Sequence, residues 1–316
     1  MHEHIARTVY YLGVHLVFAS MVWLAAWFLT WIPRGSATTK YWIWVATSLN
    51  FILPLGAVLD RLWRAHLAWA TPLGAIGTAG LVAAENAALI SAVWLLGATL
   101  MFTRLCLQIR SERRQAQAAA GRSAPNPRPV LLAHGIPVRF AERQPAPAVD
   151  GVLRPHISLP SGIDRLLSEH ELNAVLIHEL THAKRRDNLI RLIYEVGLCA
   201  LWFHPLVWIT GSRLALYREL SCDESVIQSA NGGDLVSALA KLANPDLANP
   251  EEAFLLQATA SSFISHRLAR LVAPQPRSTC RAASALLTVT FSAVLLAGVL
   301  ETVSHTACCF VARTKP

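Results

Sequence analysis

Charged side chains are scarce in this sequence: only 15% of its 316 residues are Asp, Glu, Lys or Arg, whereas 53% are hydrophobic. A chain this apolar does not suit an ordinary soluble domain. The hydrophobic residues are concentrated in long runs, which are typical of membrane helices. Arginines close to these runs carry most of the net charge of +8. Membrane topology and lipid headgroups explain that charge, and since the sequence contains no nucleic-acid-binding motif we expect no direct contact with nucleic acid.

The cysteine spacings that build disulfide frameworks or redox motifs are also missing. The six cysteines are scattered along the chain and include no C-x-x-C pair. Cys308 and Cys309 are adjacent, but two ordinary thiols explain them more simply than a redox or metal-sensing role. The cysteine pattern therefore predicts neither a disulfide scaffold nor a redox centre.

Four hydrophobic runs are long enough to cross a bilayer. They cover approximately residues 8–32, 41–59, 87–107 and 282–300. The first run is too long for the core of a signal peptide and lacks a basic leader, so we expect a retained membrane helix. Trp42 and Trp44 are predicted to be interfacial anchors of the second run. Residues 73–84 are small, apolar and rich in glycine, and we expect them to lie on the membrane or to dip into it.

Basic residues beside these runs predict the orientation in the membrane. They follow the first and third runs and comprise Arg34, Lys40, Arg104, Arg110, Arg113 and Arg114. Loops rich in Lys and Arg stay on the cytoplasmic side, so residues 60–85 and a short tail at 301–316 should lie outside. Residues 108–129 then form a basic linker, and residues 130–281 form a cytoplasmic domain.

The predicted cytoplasmic domain contains both strands and helices. Short strands are predicted at Val130–Leu132, Val138–Ala141 and Val152–Leu159, where Gly and Pro separate β-branched and apolar residues. Residues 194–211 are apolar and predict either a buried helix or a membrane-embedded hairpin. The predicted fold class is therefore a multi-pass α-helical membrane protein with an inserted α+β domain.

The clearest motif is His178-Glu179-Leu-Thr-His182. Ser168 followed by Glu171 is a capping-box signature, so a helix should begin there. Residues four apart share a helix face, and His178 and His182 can therefore bind one metal ion. The adjacent Glu179 could act on a metal-activated water, as in H-E-x-x-H zinc peptidases. Two surface histidines on an amphipathic helix are the alternative, which the motif alone does not exclude.

A catalytic zinc needs three protein ligands and one open position. Glu219 and Asp223 are four residues apart and share a helix face. Glu219 can be the third ligand, and Asp223 can hydrogen-bond the outer nitrogen of a ligating histidine. An acidic pair alone would indicate a solvated helix face. Its position about forty residues after the paired histidines favours a metal site.

The sequence contains three motifs in the order H-E-L-T-H-A-K-R-R-D, W-F-H-P-L-V-W and R-E-L-S-C-D-E. This series resembles that of the BlaR/MecR integral-membrane zinc metallopeptidases, metallopeptidase family 56. The resemblance covers essentially the whole chain and includes P-H-I-S-L-P at residues 155–160. It implies a gluzincin-like peptidase domain that faces the cytoplasm from the bacterial inner membrane and binds one Zn²⁺. It also implies that His178, His182 and Glu219 are the zinc ligands and that Glu179 is the catalytic residue.

The resemblance further implies a role in the regulation of antibiotic resistance. Members relay an external signal and act, directly or through further steps, on a cytoplasmic repressor of the BlaI/MecI type. The best-known members carry a penicillin-binding sensor domain with an S-x-x-K serine after the fourth span. No S-x-x-K follows Leu300, so we expect the signal to enter through the outer loop, the spans, the tail or a partner. The expected partners are a cytoplasmic protein substrate and the bilayer. A second copy of the chain, in a homodimer, is a further candidate partner.

Other side chains are candidates for supporting roles. His204 and Arg218 are candidate donors to the tetrahedral oxyanion. A hydrogen-bonded turn residue is the alternative for His204, and a salt bridge to Asp187 or Glu224 is the alternative for Arg218. We expect Asp187 to fix the end of the catalytic helix, and we expect the strand at 152–159 to bind substrate by strand addition.

Two other functions fit the same sequence. One is a membrane quality-control or processing zinc peptidase, and the other is a non-catalytic membrane signalling scaffold with a vestigial site. The presence of Glu179 beside a complete ligand set argues against the scaffold. A neighbouring gene for a small winged-helix repressor would favour signalling over quality control.

Overall fold

The described part of the chain folds mostly into helices, with one small sheet. The computed structural model describes residues 2–31, 36–53, 86–120, 131–133, 135–141, 144, 146–243, 267 and 271. The helices are α1 (His2–Trp31), α2 (Ala37–Ile52), α3 (Ala87–Ala120), α4 (Ile163–Leu166), α5 (Glu169–Arg185), α6 (Asp187–Ala200), α7 (Pro205–Ser229) and α8 (Gly232–Ala243). The strands are β1 (Leu131–Ala133), β2 (Ile136–Ala141), β3 (Ala148–Asp150) and β4 (His156–Pro160). The multi-pass topology and the likeness to gluzincins stay predictions.

Helix α2 is packed between α1 and α7. Trp44 is fully buried, and its ring lies 5.9 Å from that of Trp23 on α1. The prediction that Trp44 is an interfacial anchor is therefore wrong, because a tryptophan on an apolar helix can equally well pack in a core. Trp42, in contrast, is 43% exposed. The 16 residues of α2 span about 24 Å, which is shorter than a hydrocarbon core of about 30 Å.

Helix α3 carries the strongest membrane signal. Among the described residues, 88–114 form the one helix that is long and apolar enough to cross a membrane, and little of it is buried. The helix runs to Ala120 instead of giving way to a linker after Leu107, because Gln, Arg and Ala in this stretch are good helix formers. The indole of Trp94 donates to the carbonyl of Ala200, which ties α3 to α6. Residues 73–84 and 282–300 lie outside the described residues.

The sheet has the strand order β1-β2-β4-β3. Strand β4 pairs in parallel with β2 and antiparallel with β3, so it is an inner strand. The prediction of strand addition at residues 152–159 is therefore wrong, since β4 has no free edge. The short strand β3, which lacks a clear sequence pattern, forms the sheet edge next to β4. Gly151 begins the turn from β3 to β4 with φ of 85°, and a Cβ there would lie 2.6 Å from the carbonyl of Arg154.

The sheet and helices α5 and α8 share one hydrophobic core. Its most buried members are Val138, Ile157, Leu159, Ile163, Ala174, Val226, Leu235 and Ala238. The predicted capping box starts α5: the Ser168 hydroxyl accepts the Glu171 N–H, and the Glu171 carboxylate accepts the Ser168 N–H. Helix α7 crosses α5, which brings the second half of α7 against the paired histidines.

Candidate metal centre

Helix α5 aims two imidazoles at one point. His178 and His182 lie one helical turn apart, and their Nε2 atoms are 3.2 Å from each other. His178 is buried, and the His182 side chain is 13% exposed. The two Nε2 atoms cannot both carry a hydrogen at this distance, because the two hydrogens would collide. A shared proton or a shared cation satisfies both nitrogens, and when neither Nε2 atom carries a proton the pair can offer two lone pairs to one cation.

Glu219 on α7 completes a triangle of donors. Its Oε2 lies 3.5 Å from His178 Nε2 and 3.8 Å from His182 Nε2. Ligand atoms about 2.1 Å from a tetrahedral zinc lie about 3.4 Å apart. The three separations are close to that value, and two imidazoles with one carboxylate are a known donor set for catalytic zinc with an open position. The residues present therefore fit a zinc ion.

The outer nitrogens of both imidazoles face buried carboxylates. His182 Nδ1 lies 2.7 Å from Asp187 Oδ2, and His178 Nδ1 lies 3.1 Å from Asp223 Oδ1. The second contact is not aligned as a regular hydrogen bond. Carboxylates in these positions fix the tautomer that leaves Nε2 free for a cation. The sequence identified Asp223 for this role but assigned Asp187 only to the end of the helix.

Two arginines hold those carboxylates. Arg267 donates to both oxygens of Asp223 over 2.8 and 2.9 Å, and Arg185 donates to Asp187 Oδ2 over 2.6 Å. Burial alone would raise the pKa values of the two aspartates, but the hydrogen bonds from arginine and histidine outweigh it and lower them. Both carboxylates therefore stay ionised. Sequence reasoning missed both arginines. Arg185 lies within the H-E-L-T-H-A-K-R-R-D motif, but the motif does not indicate which side chain it binds, and Arg267 lies 44 residues after Asp223.

Cys222 is a further donor close to the site. Its Sγ, His178 and His182 could offer three donor atoms within 4.8 Å of one another. Sγ lies 3.4 Å from His182 Nδ1, the nitrogen that already faces Asp187. Glu219 instead meets the Nε2 side of both rings. The geometry thus favours Glu219 over Cys222 as the third donor, and Cys222 also accepts a hydrogen bond from Arg185 over 3.0 Å.

Glu179 lies in the wall of the cavity that the paired histidines enter. Its side chain is 9% exposed, and burial raises the pKa of its carboxyl above the ordinary value. The two neighbouring histidines act in the opposite direction and lower that pKa. A carboxylate with increased proton affinity beside a metal site is suited to general-base chemistry near neutral pH.

The cavity has a volume of about 470 Å³. Its lining includes strand β3 with the preceding Ala146 and Pro147. It also includes apolar residues of α8, namely Leu235, Leu239 and Leu242. The amide of Asn188 donates to the carbonyl of Val149 over 2.8 Å, so this side chain covers part of the free edge of β3. A sheet edge and an apolar helix surface therefore both line the cavity.

The structure separates the two candidate oxyanion donors. Arg218 lines the cavity, and its guanidinium contacts Glu219 Oε1 at 3.1 Å rather than Asp187 or Glu224. His204 precedes α7, fifteen residues before Glu219 and thus about 22 Å away along the helix. Its ring packs on Phe51 and does not line the cavity. The structure therefore brings Arg218 to the site and leaves His204 away from it, as the turn-residue alternative anticipated.

Known proteins resemble this chain in sequence. A family model described as BlaR1 peptidase M56 matches residues 11–233. The regulatory protein BlaR1 of Bacillus licheniformis is 39% identical over 84 residues, which cover 27% of this chain and 14% of that protein. The methicillin resistance mecR1 protein of Staphylococcus aureus is 26% identical over 96 residues, which cover 30% of this chain and 16% of that protein.

The match to the family is broad, whereas the matches to individual relatives are local. The chain aligns with no more than 16% of the length of these two curated relatives. The family model, in contrast, covers more than two thirds of the 316 residues, including the paired histidines and Glu219. The chain therefore belongs to the BlaR1 peptidase M56 family.

Proposed function

We propose that this chain is a multi-pass membrane zinc metalloendopeptidase whose active site faces the cytoplasm. Residues 1–107 and 282–300 would form the membrane region, and residues 130–281 would form the peptidase domain. The observation that carries the proposal is the convergence of His178 Nε2, His182 Nε2 and Glu219 Oε2 beside Glu179 in one cavity. Three donors of the type that zinc prefers, next to a buried carboxylate, are the parts of a hydrolytic centre.

In the proposed reaction the protein positions a peptide and moves one proton. A zinc ion held by His178, His182 and Glu219 would polarise the scissile carbonyl and acidify a water. Glu179 accepts the proton of the attacking water and delivers it to the leaving amine. Arg218, at the cavity wall, can donate to the oxyanion that forms between these steps. The edge of β3 and the apolar face of α8 would align the substrate chain.

The proposed substrate is a cytoplasmic regulator, and a repressor of the BlaI/MecI type is the first candidate. Two observations support a regulatory role. One is the names of the relatives, a regulatory protein and a methicillin resistance protein. The other is the direct packing of α2, from the proposed membrane region, against α7 of the peptidase domain. A signal received at the membrane could thus reach the peptidase.

The catalytic assignment is tested with Glu179→Gln in the full-length protein. We expect bound zinc to be retained and proteolysis to fall by at least about 100-fold, since a general base contributes that much. Glu169→Gln is the matched control, because it changes an exposed carboxylate on the same helix. Unchanged cleavage by Glu179→Gln would refute the assignment.

The same variant distinguishes signalling from quality control. Proteomes of cells with the wild-type protein and with Glu179→Gln are compared by quantitative mass spectrometry. A signalling peptidase predicts that one DNA-binding regulator persists in the mutant. Accumulation of many membrane-protein fragments would instead support the quality-control function.

A further inference from the structure

The first turn of α2 touches the outer side of the metal centre. Tyr41 is 1% exposed, and its hydroxyl donates to Asp187 Oδ1 over 2.8 Å. The other oxygen of this carboxylate lies 2.7 Å from His182 Nδ1. A side chain on a helix of the proposed membrane region is therefore separated from a proposed zinc ligand by a single carboxylate.

We propose that Tyr41 is a positioning residue for His182 and acts through Asp187; this inference rests on the proposed zinc peptidase function. Asp187 is 3% exposed, so its oxygens depend on donors from the protein. Arg185 supplies two of them, from Nε to Oδ1 over 3.2 Å and from Nη2 to Oδ2 over 2.6 Å. Tyr41 and Arg185 together fix the plane of the carboxylate. That plane sets the direction in which His182 points its Nε2.

The ring of Tyr41 has a second contact that separates packing from hydrogen bonding. The guanidinium of Arg185 lies 4.4 Å from the centre of the Tyr41 ring, within the range of a cation–π interaction. Phenylalanine would keep this stacking and the buried volume while removing only the hydroxyl. Tyr41→Phe therefore tests the hydrogen bond to Asp187 rather than the packing of α2.

A second contact holds the first turn of α2 in register with α7. Glu224 Oε2 accepts hydrogen bonds from the Ser36 hydroxyl over 2.8 Å, and from the Thr38 N–H and hydroxyl over 2.9 Å each. Glu224 follows Asp223 directly, so the same turn of α7 contacts both α2 and His178. Asp187 is the first residue of α6, so a displacement of α2 relative to α6 and α7 would alter the distance from the Tyr41 hydroxyl to this carboxylate. The position of α2 would then be transmitted to a metal ligand.

Metal affinity is the readout that tests this role. Full-length protein in detergent is titrated with zinc against a chromophoric chelator, and cobalt is used to record the visible spectrum of the site. Loss of a direct partner of a metal ligand costs about 10–100-fold in metal affinity. Because Tyr41 is one contact further from the ligand, we expect Tyr41→Phe to weaken zinc binding by a smaller factor of about 5- to 20-fold. The cobalt spectrum should also shift. Tyr194→Phe is the matched control, since its hydroxyl donates to a backbone carbonyl, that of Val207, over 2.9 Å.

A double-mutant cycle with Asp187→Asn tests whether Tyr41 acts through that carboxylate. If it does, Tyr41→Phe has much less effect on zinc affinity in the Asp187→Asn background than in the wild type. If the wild type binds zinc and the Tyr41→Phe and Tyr194→Phe variants bind it with equal affinity, the inference alone is overturned. Fully additive effects of Tyr41→Phe and Asp187→Asn would also overturn it. A wild-type protein that binds no zinc would overturn the proposed function and the inference together.

Discussion

Glu171→Gln should destabilise the contact between α5 and α8 without changing the metal centre. The Glu171 side chain is 7% exposed, and both of its oxygens accept hydrogen bonds. Ser237 donates to Oε1, and Oε2 accepts the Lys241 ammonium and the Ser168 N–H over 2.8 Å each. One carboxylate thus caps α5 and binds α8.

The size of the effect follows from the charge of these hydrogen bonds. A hydrogen bond to a charged group contributes about 1.5–3 kcal/mol. Glutamine can keep the N-cap contact through its amide oxygen, but it loses the ionic partner of Lys241. We therefore expect the free energy of unfolding to fall by about 2–3 kcal/mol. For a folding unit of this size that corresponds to a decrease in Tm of about 4–12 °C.

The pH dependence gives a second readout of the same contact. Burial would raise the pKa of Glu171, but hydrogen bonds from Lys241, Ser237 and Ser168 outweigh it and lower the pKa from 4.5 to about 2. A folded-state pKa below the unfolded value stabilises the protein above about pH 4.5, and this contribution is lost as the pH falls towards 2. The Tm difference between wild type and Glu171→Gln should therefore shrink over that interval.

Thermal unfolding in detergent, followed by tryptophan fluorescence, measures both effects. Glu169→Gln serves again as the control, because it changes an exposed carboxylate in the same helical turn and should alter stability by less than about 0.5 kcal/mol. If Glu171→Gln and Glu169→Gln unfolded at the same temperature at pH 7, the assignment of Glu171 to the α5–α8 contact would be refuted.

Three further substitutions probe how the elements are joined. Arg186 has φ of 56°, and Arg186→Gly should raise the free energy of unfolding by about 1 kcal/mol in chemical denaturation, or leave it unchanged, because glycine adopts this conformation without strain. A clear loss of stability would contradict this. Gly197→Ala should lower Tm, because its Cβ would lie 2.3 Å from a carbon of Ile52; an unchanged Tm would show that α6 and α2 are not in close contact. Glu224→Gln should cost about 1–2 kcal/mol in thermal unfolding by weakening the contact with the start of α2, and a neutral result would argue against that contact.

Local patterns predicted helix α5 well. The capping box of Ser168 and Glu171, and the shared face of His178 and His182, depend only on spacing within one helix. The same holds for Asp223, which one helical turn after Glu219 does face His178. Helical periodicity is a property of the sequence itself, so these features could be read from it.

Features that depend on tertiary contacts could not be predicted in this way. Asp187 reaches His182 because Arg186 adopts a left-handed conformation between α5 and α6, which no residue preference indicates. Arg267 lies 44 residues after Asp223, so no spacing rule connects them. Trp44 appeared to be an interfacial residue, because an apolar helix looks the same whether it faces lipid or protein. Tyr41 had no signal at all, since its partner lies 146 residues away.

Zinc content per chain tests the central claim most directly. Purified full-length protein and its variants are analysed by mass spectrometry for bound metal. The proposed ligand set predicts about one zinc ion per chain in the wild type and in Glu179→Gln, and almost none in His182→Ala or Glu219→Ala. Retention of zinc by Glu219→Ala, together with its loss from Cys222→Ala, would contradict the proposed ligand set.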